Sequence, residues 1–119
     1  MHEELSFDER FEALGEYYKI ESPDKIKSHI RENENIFVFL EEVKPYLEES
    51  FLDAEFLLKM NFEPEMDDDY IILMVNVPLM HFRNGARNDL TVMQRKLFPL
   101  RRRINVRREC LIMLGFLDV

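Results

Sequence analysis

Three groups of residues in this 119-residue chain carry side chains able to do chemistry. The first is acidic: Glu63, Glu65, Asp67, Asp68 and Asp69 crowd one short stretch. Clustered carboxylates suit hard cations. This stretch lacks the Asp-x-Asp-x-Asp-Gly opening and distal glutamate of a calcium loop, so it reads as a solvated turn and no metal is assigned to it. The second group is basic: Arg95, Lys96, Arg101, Arg102, Arg103, Arg107 and Arg108. Guanidinium forks match phosphate or carboxylate oxygens two at a time, which makes this run the candidate anion- or partner-binding segment. Phe82 and Phe98 lie near it, without the regular interleaving that stacks successive bases. The third group is scattered. His2, His29 and His81 have no metal-ligand spacing, and Cys110 sits in an apolar run with no base beside it, where a thiol stays protonated. No Gly-x-Ser-x-Gly or phosphate-cradling glycine loop is present among only 3 glycines, so no catalytic residue and no cofactor is assigned.

Charge is divided unevenly along the chain. Residues 1–78 hold 7 Lys/Arg and 21 Asp/Glu, whereas residues 79–119 hold 9 Lys/Arg and 3 Asp/Glu. The two parts attract each other within one fold, or the basic part faces a partner. With a net charge of −8 and a pI near 4.9, a nucleic acid is not the favoured partner. No apolar run approaches the roughly 20 residues of a membrane span, and Met1-His2-Glu3-Glu4 does not resemble a signal peptide. A lone cysteine fits a reduced, cytoplasmic setting.

The residues that position these groups are read from periodicity. Phe56, Leu58, Met60 and Phe62 alternate with Glu55, Leu57, Lys59 and Asn61, which marks a strand with one apolar face. Tyr70 to Val77 is apolar nearly throughout and reads as a strand buried on both faces, antiparallel to the first. Glu109 to Phe116 makes a third strand. Ahead of them, Ser6 and Glu9 have capping-box spacing for a helix over about 7–19. Ser22-Pro23 opens a second helix ending near Asn33, and Asn35 is placed to cap a third, with Pro45 expected to kink or end it. Met80 to Arg87 reads as loop, with a fourth helix capped by Asn88 or Asp89 and stopped or bent at Pro99. The methionines Met60, Met66, Met74, Met80, Met93 and Met113 are expected to fill core gaps. The order is α-α-α-β-β-α-β, an α+β fold whose N-terminal helices pack on a small, mainly antiparallel three-stranded sheet. A right-handed crossover follows if the strands of the last β-α-β unit are parallel neighbours. One domain spans 1–119, with 1–21 a helical extension on a 22–119 core.

From Ser22 onward the chain resembles a family of small uncharacterised prokaryotic proteins, found especially in cyanobacteria. The resemblance rests on Ser22-Pro23-Asp24-Lys25-Ile26, Glu49-Ser50-Phe51-Leu52-Asp53-Ala54, Phe62-Glu63-Pro64-Glu65-Met66-Asp67-Asp68 and Glu109-Cys110-Leu111-Ile112. These stand where that family has a Ser-Pro helix start, a "YFPDA" phrase, a "DPE" loop and a terminal strand, over roughly four fifths of the chain. Leu52 replaces the usual proline, and Leu97-Phe98-Pro99-Leu100 stands where a Trp-Trp-Leu phrase is usual. The resemblance implies an α+β fold and no established activity.

The strand from Tyr70 to Val77 sets the functional expectation. A single helical layer covers one face of a sheet, so the second apolar face needs the N-terminal helix or another copy of the chain. The sequence therefore reads as a protein-binding or regulatory accessory module, expected to work with a protein partner or as a homodimer. The alternative is an RNA- or phosphate-binding module using residues 95–108, and a third is a hydrolase using unidentified carboxylates.

Overall fold

In the computed structural model, which describes residues 6–61 and 69–117, Ser6 opens the first helix, α1 (Phe7–Tyr17). Its hydroxyl accepts from the Glu9 amide at 3.2 Å, and the Glu9 carboxylate accepts back from that hydroxyl rather than from the Ser6 amide. The helix ends earlier than its periodicity predicts. Lys19–Ile20 instead forms a short strand, β1. Tyr18, buried at the junction, donates its hydroxyl to Leu40 O at 2.7 Å and so ties the end of α1 to the third helix.

α2 (Pro23–Glu32) begins on its proline, but Ser22 does not cap it through its side chain. Ser22 is left-handed (φ 49°), and its carbonyl instead accepts from the Lys25 and Ile26 amides. α3 (Glu34–Glu42) is entered through Asn33 rather than Asn35, while the side-chain Nδ2 of Asn33 donates back to His29 O at the end of α2. The chain breaks at Val43 and restarts as α4 (Lys44–Ser50), because Pro45 has no N–H to offer the Glu41 carbonyl and fits a first turn.

β2 (Glu55–Asn61) and β3 (Tyr70–Val77) pair antiparallel, with Leu58 opposite Leu73. The stretch expected to be loop contains a five-residue helix, α5 (Leu79–Arg83), started by Pro78. α6 (Ala86–Ile104) starts at Gly85, whose φ of 102° suits glycine alone, and not at Asn88 or Asp89. It also runs through Pro99 to a left-handed Asn105. A proline inside a helix costs about 3 kcal/mol, and burying Leu100 and Ile104 beyond it returns about 1.5–3 kcal/mol each, so continuation wins. β4 (Cys110–Phe116) completes the fold.

The sheet differs from the expected three-stranded, mainly antiparallel one. It has four strands in the order β1-β2-β3-β4, with β1 parallel to β2 and β4 parallel to β3, so it is mixed. β1 adds the fourth strand because Tyr17 ends its helix just where the backbone reaches Leu57 and Leu58.

The described helices share one core with a single face of the sheet. Leu14, Ile30, Phe39, Leu40 and Leu97 pack with Leu58, Leu73, Val75 and Ile112 in one buried cluster. Ile72 is buried but lies outside that cluster, on the opposite face. Register places three rows there: Lys59, Ile72, Leu111; then Leu57, Met74, Met113; then Glu55, Asn76, Gly115. α1 joins the core side through Leu14 and does not cross to this second face, which no described helix covers.

Candidate functional site

α6 sorts the basic residues by helical geometry. Positions 94, 98, 101 and 102 recur at steps of four, three and one, so they share the side of α6 next to β4. The turn after α6 supplies Arg107 and Arg108, and β4 supplies Leu111, Ile112 and Met113. Together they bound an open groove of about 870 Å³. Phe98 and Met113 are 64% and 46% exposed in it. Met113 and Met80 are thus not the core fillers expected of them, whereas Met93 is fully buried.

The seven basic residues singled out by sequence fall into different roles. Arg101 is a structural residue. Its Nη1 donates to Arg107 O and Cys110 O at 2.9 Å each and to Val106 O at 3.4 Å. Its guanidinium also lies 4.6 Å from the centre of the Phe39 ring. Burial pulls its pKa down from the ordinary arginine value, with Cys110 and Glu109 opposing that shift. Lys96 reaches Glu49 at 2.9 Å and Arg103 reaches Glu42 at 3.1 Å, so both bind α6 to the acidic helices α4 and α3. Arg95 lines the adjoining cleft with Leu90, Thr91, Gln94 and Phe98. Arg102, Arg107 and Arg108 face the groove with Arg101, and among the described residues none of these three side chains forms an ion pair.

The edge of β4 borders the same groove. Ile71 N donates to Glu109 O and Leu117 N to Val77 O, so the odd-numbered residues of β4 aim their backbone groups at β3. The even-numbered ones, Cys110, Ile112, Leu114 and Phe116, therefore aim theirs outward. Arg101 donates to the outward Cys110 carbonyl, and Gln94 Nε2 donates to the outward Ile112 carbonyl at 3.2 Å. α6 thus occupies the first half of an edge that would otherwise invite another strand.

A second constellation was not legible as a site. His81 on α5 sits with Nδ1 3.0 Å from Asp53 Oδ1 and Nε2 2.7 Å from Asp89 Oδ2. Hydrogen bonding to Asp89 first, and to Asp53 as well, raises its pKa against the opposing effect of burial. With a carboxylate on each ring nitrogen, the imidazolium is favoured and both N–H groups donate. Neither nitrogen is left for a substrate, so the arrangement is a clamp joining the α4–β2 turn, α5 and α6. Its members are separated by 28 and 8 residues, and no spacing rule connects them.

Other candidates carry less chemistry. Cys110 is fully buried, and burial pushes its thiol up to about 12, so it is not a nucleophile. Among the described residues no three His, Cys, Asp or Glu side chains converge as metal ligands. Glu63, Glu65, Asp67 and Asp68 of the acidic stretch, with His2 and Met66, lie outside the described residues. No described helix is long and apolar enough to cross a membrane. Comparisons of the chain with protein families, curated proteins and solved structures find no match.

Proposed function

We propose that this chain is a protein-binding module that takes its partner in the groove between α6 and β4. One observation carries this reading: two exposed apolar side chains on facing walls, Phe98 and Met113, are rimmed by Arg102, Arg107 and Arg108 without ion-paired carboxylates among the described residues. Aromatic, methionine and arginine side chains are the types that protein interfaces enrich. The apolar rows of the uncovered sheet face reach the groove at Leu111 and Met113, so a folded partner can extend from one onto the other.

RNA or phosphate is the competing reading, supported by the same three arginines. The lining argues for a protein: the groove offers one exposed aromatic, Phe98, facing a methionine, rather than a stacking series. A second copy of this chain is the other competing occupant.

Photo-crosslinking separates these occupants. A benzoylphenylalanine at position 113 is expected to give protein adducts in cell extract, lost on combining it with Arg102→Glu and Arg108→Glu. The same group at Glu12 on α1 is expected to give few. Adducts to RNA alone, or equal yields from both positions, would contradict the reading. An adduct of twice the chain's mass, matched by a dimer in sedimentation, would identify a second copy instead.

A further inference from the structure

The groove's chemistry goes further than its being a docking surface: it specifies the kind of segment that fits. We infer that the occupant is a short acidic segment carrying one large apolar side chain, held by its side chains and not as an added strand. This inference rests on the protein-binding reading of the same groove.

Charge complementarity points to an acidic segment. Arg102, Arg107 and Arg108 rim one volume, and the nearest carboxylate in sequence, Glu109, already accepts from the Arg107 amide at 2.7 Å. Three guanidiniums around one opening, none of them ion-paired among the described residues, offer two-pronged hydrogen bonds to a carboxylate-bearing segment. The apolar anchor follows from Phe98 and Met113, which stand on opposite walls, one on α6 and one on β4. An aromatic or long aliphatic side chain between them covers both, and a methionine wall adapts to either shape.

The backbone argues against strand addition here. A peptide joining the sheet along this groove needs the outward carbonyls of Cys110 and Ile112, which Arg101 and Gln94 already engage. Specificity therefore falls on side chains, so the anchor and the charges each have to matter separately.

Fluorescence anisotropy tests this on the full chain. The probe is a labelled peptide of glutamates and aspartates around a central phenylalanine; the comparators are its central-alanine version, an all-lysine version and a uridine oligonucleotide of equal length. The acidic peptide is expected to bind, to weaken about tenfold or more with alanine at the centre, and to weaken further as salt rises. Arg102→Glu with Arg108→Glu is expected to abolish binding, and Phe98→Ala to mimic loss of the anchor; circular dichroism confirms that the exposed-residue variants keep their fold. Failure of the acidic peptide to bind, indifference to the charge reversal, or tighter binding of the oligonucleotide would overturn the inference. The crosslink at position 113 keeps the two levels apart. A mapped partner segment that is neutral or basic sinks the acidic-segment inference and leaves the docking groove standing, whereas absence of any protein adduct sinks both.

Discussion

Asp53 and Asp89 meet through one imidazole: His81 Nδ1 lies 3.0 Å from the first carboxylate and Nε2 2.7 Å from the second. These residues come from the α4–β2 turn, α5 and α6, so a single imidazole spans three segments of chain. His81 is only 18% exposed, and the flanking carboxylates are nearly half exposed. The clamp's strength is therefore that of a screened ion pair with some cover, about 1 kcal/mol.

Its pH dependence has a definite sign. The folded-state pKa of His81 is raised above its ordinary 6.5. Its stabilisation is then fully present below about pH 6.5 and is lost as pH rises through the folded-state value. Melting temperatures of the native chain and of His81→Gln, compared from pH 5 to 9, should differ most at the acidic end and converge at the alkaline end. A gap that widens with rising pH would show that the ring is held neutral.

Arg101 and Arg102 are neighbours with opposite expected behaviour. Arg101→Ala leaves the carbonyls of Arg107 and Cys110 without that donor and uncovers Phe39, which should cost about 2 kcal/mol. Arg102→Ala removes no ion pair and should stay within about 0.5 kcal/mol. Urea titrations of the two variants check this contrast, and equal losses would contradict the division of roles.

Pro99 is an exposed proline in the interior of a 19-residue helix. Pro99→Ala restores an amide for the Arg95 carbonyl and removes the ring clash, against a smaller gain in unfolded-chain entropy. A rise in stability of about 2 kcal/mol is expected, read as a higher melting temperature. No change would mean that the helix is already locally adapted to the proline.

Cys110 supplies a test of the core. With its thiol fully buried and its pKa pushed up to about 12, the native chain should react with a disulfide reagent at pH 8 only as fast as it opens. Labelling should track the unfolding transition in denaturant. Rapid labelling of the native chain would place β4 closer to solvent than the structure does.

What was legible in the sequence follows from length and period. Tyr70–Val77 and Cys110–Phe116 were long apolar runs and became central and edge strands. β1 has two residues, too few for any period, and exists because Leu57 and Leu58 lie beside it. α5 is five residues long amid turn signals and buries none of its residues fully, so neither length nor an apolar period marks it. Pro99 left two courses open, a stop or a bend. A stop there would turn the following arginines into a linker, whereas the continuous helix places positions 101 and 103 about 200° apart around the axis. That rotation aims Arg101 at the turn before β4 and Arg103 at Glu42. The His81 clamp had no comparable signal, because tertiary contact alone brings Asp53 to it.

Recognition between α6 and β4 is open to a direct check by amide spectra of the isotopically labelled chain, recorded while adding the acidic, phenylalanine-centred peptide. Shifts are expected to concentrate at residues 94–102 and 107–113 and to be abolished by Arg102→Glu with Arg108→Glu. Shifts centred on α1 and α2, or an unchanged spectrum at millimolar peptide, would contradict it.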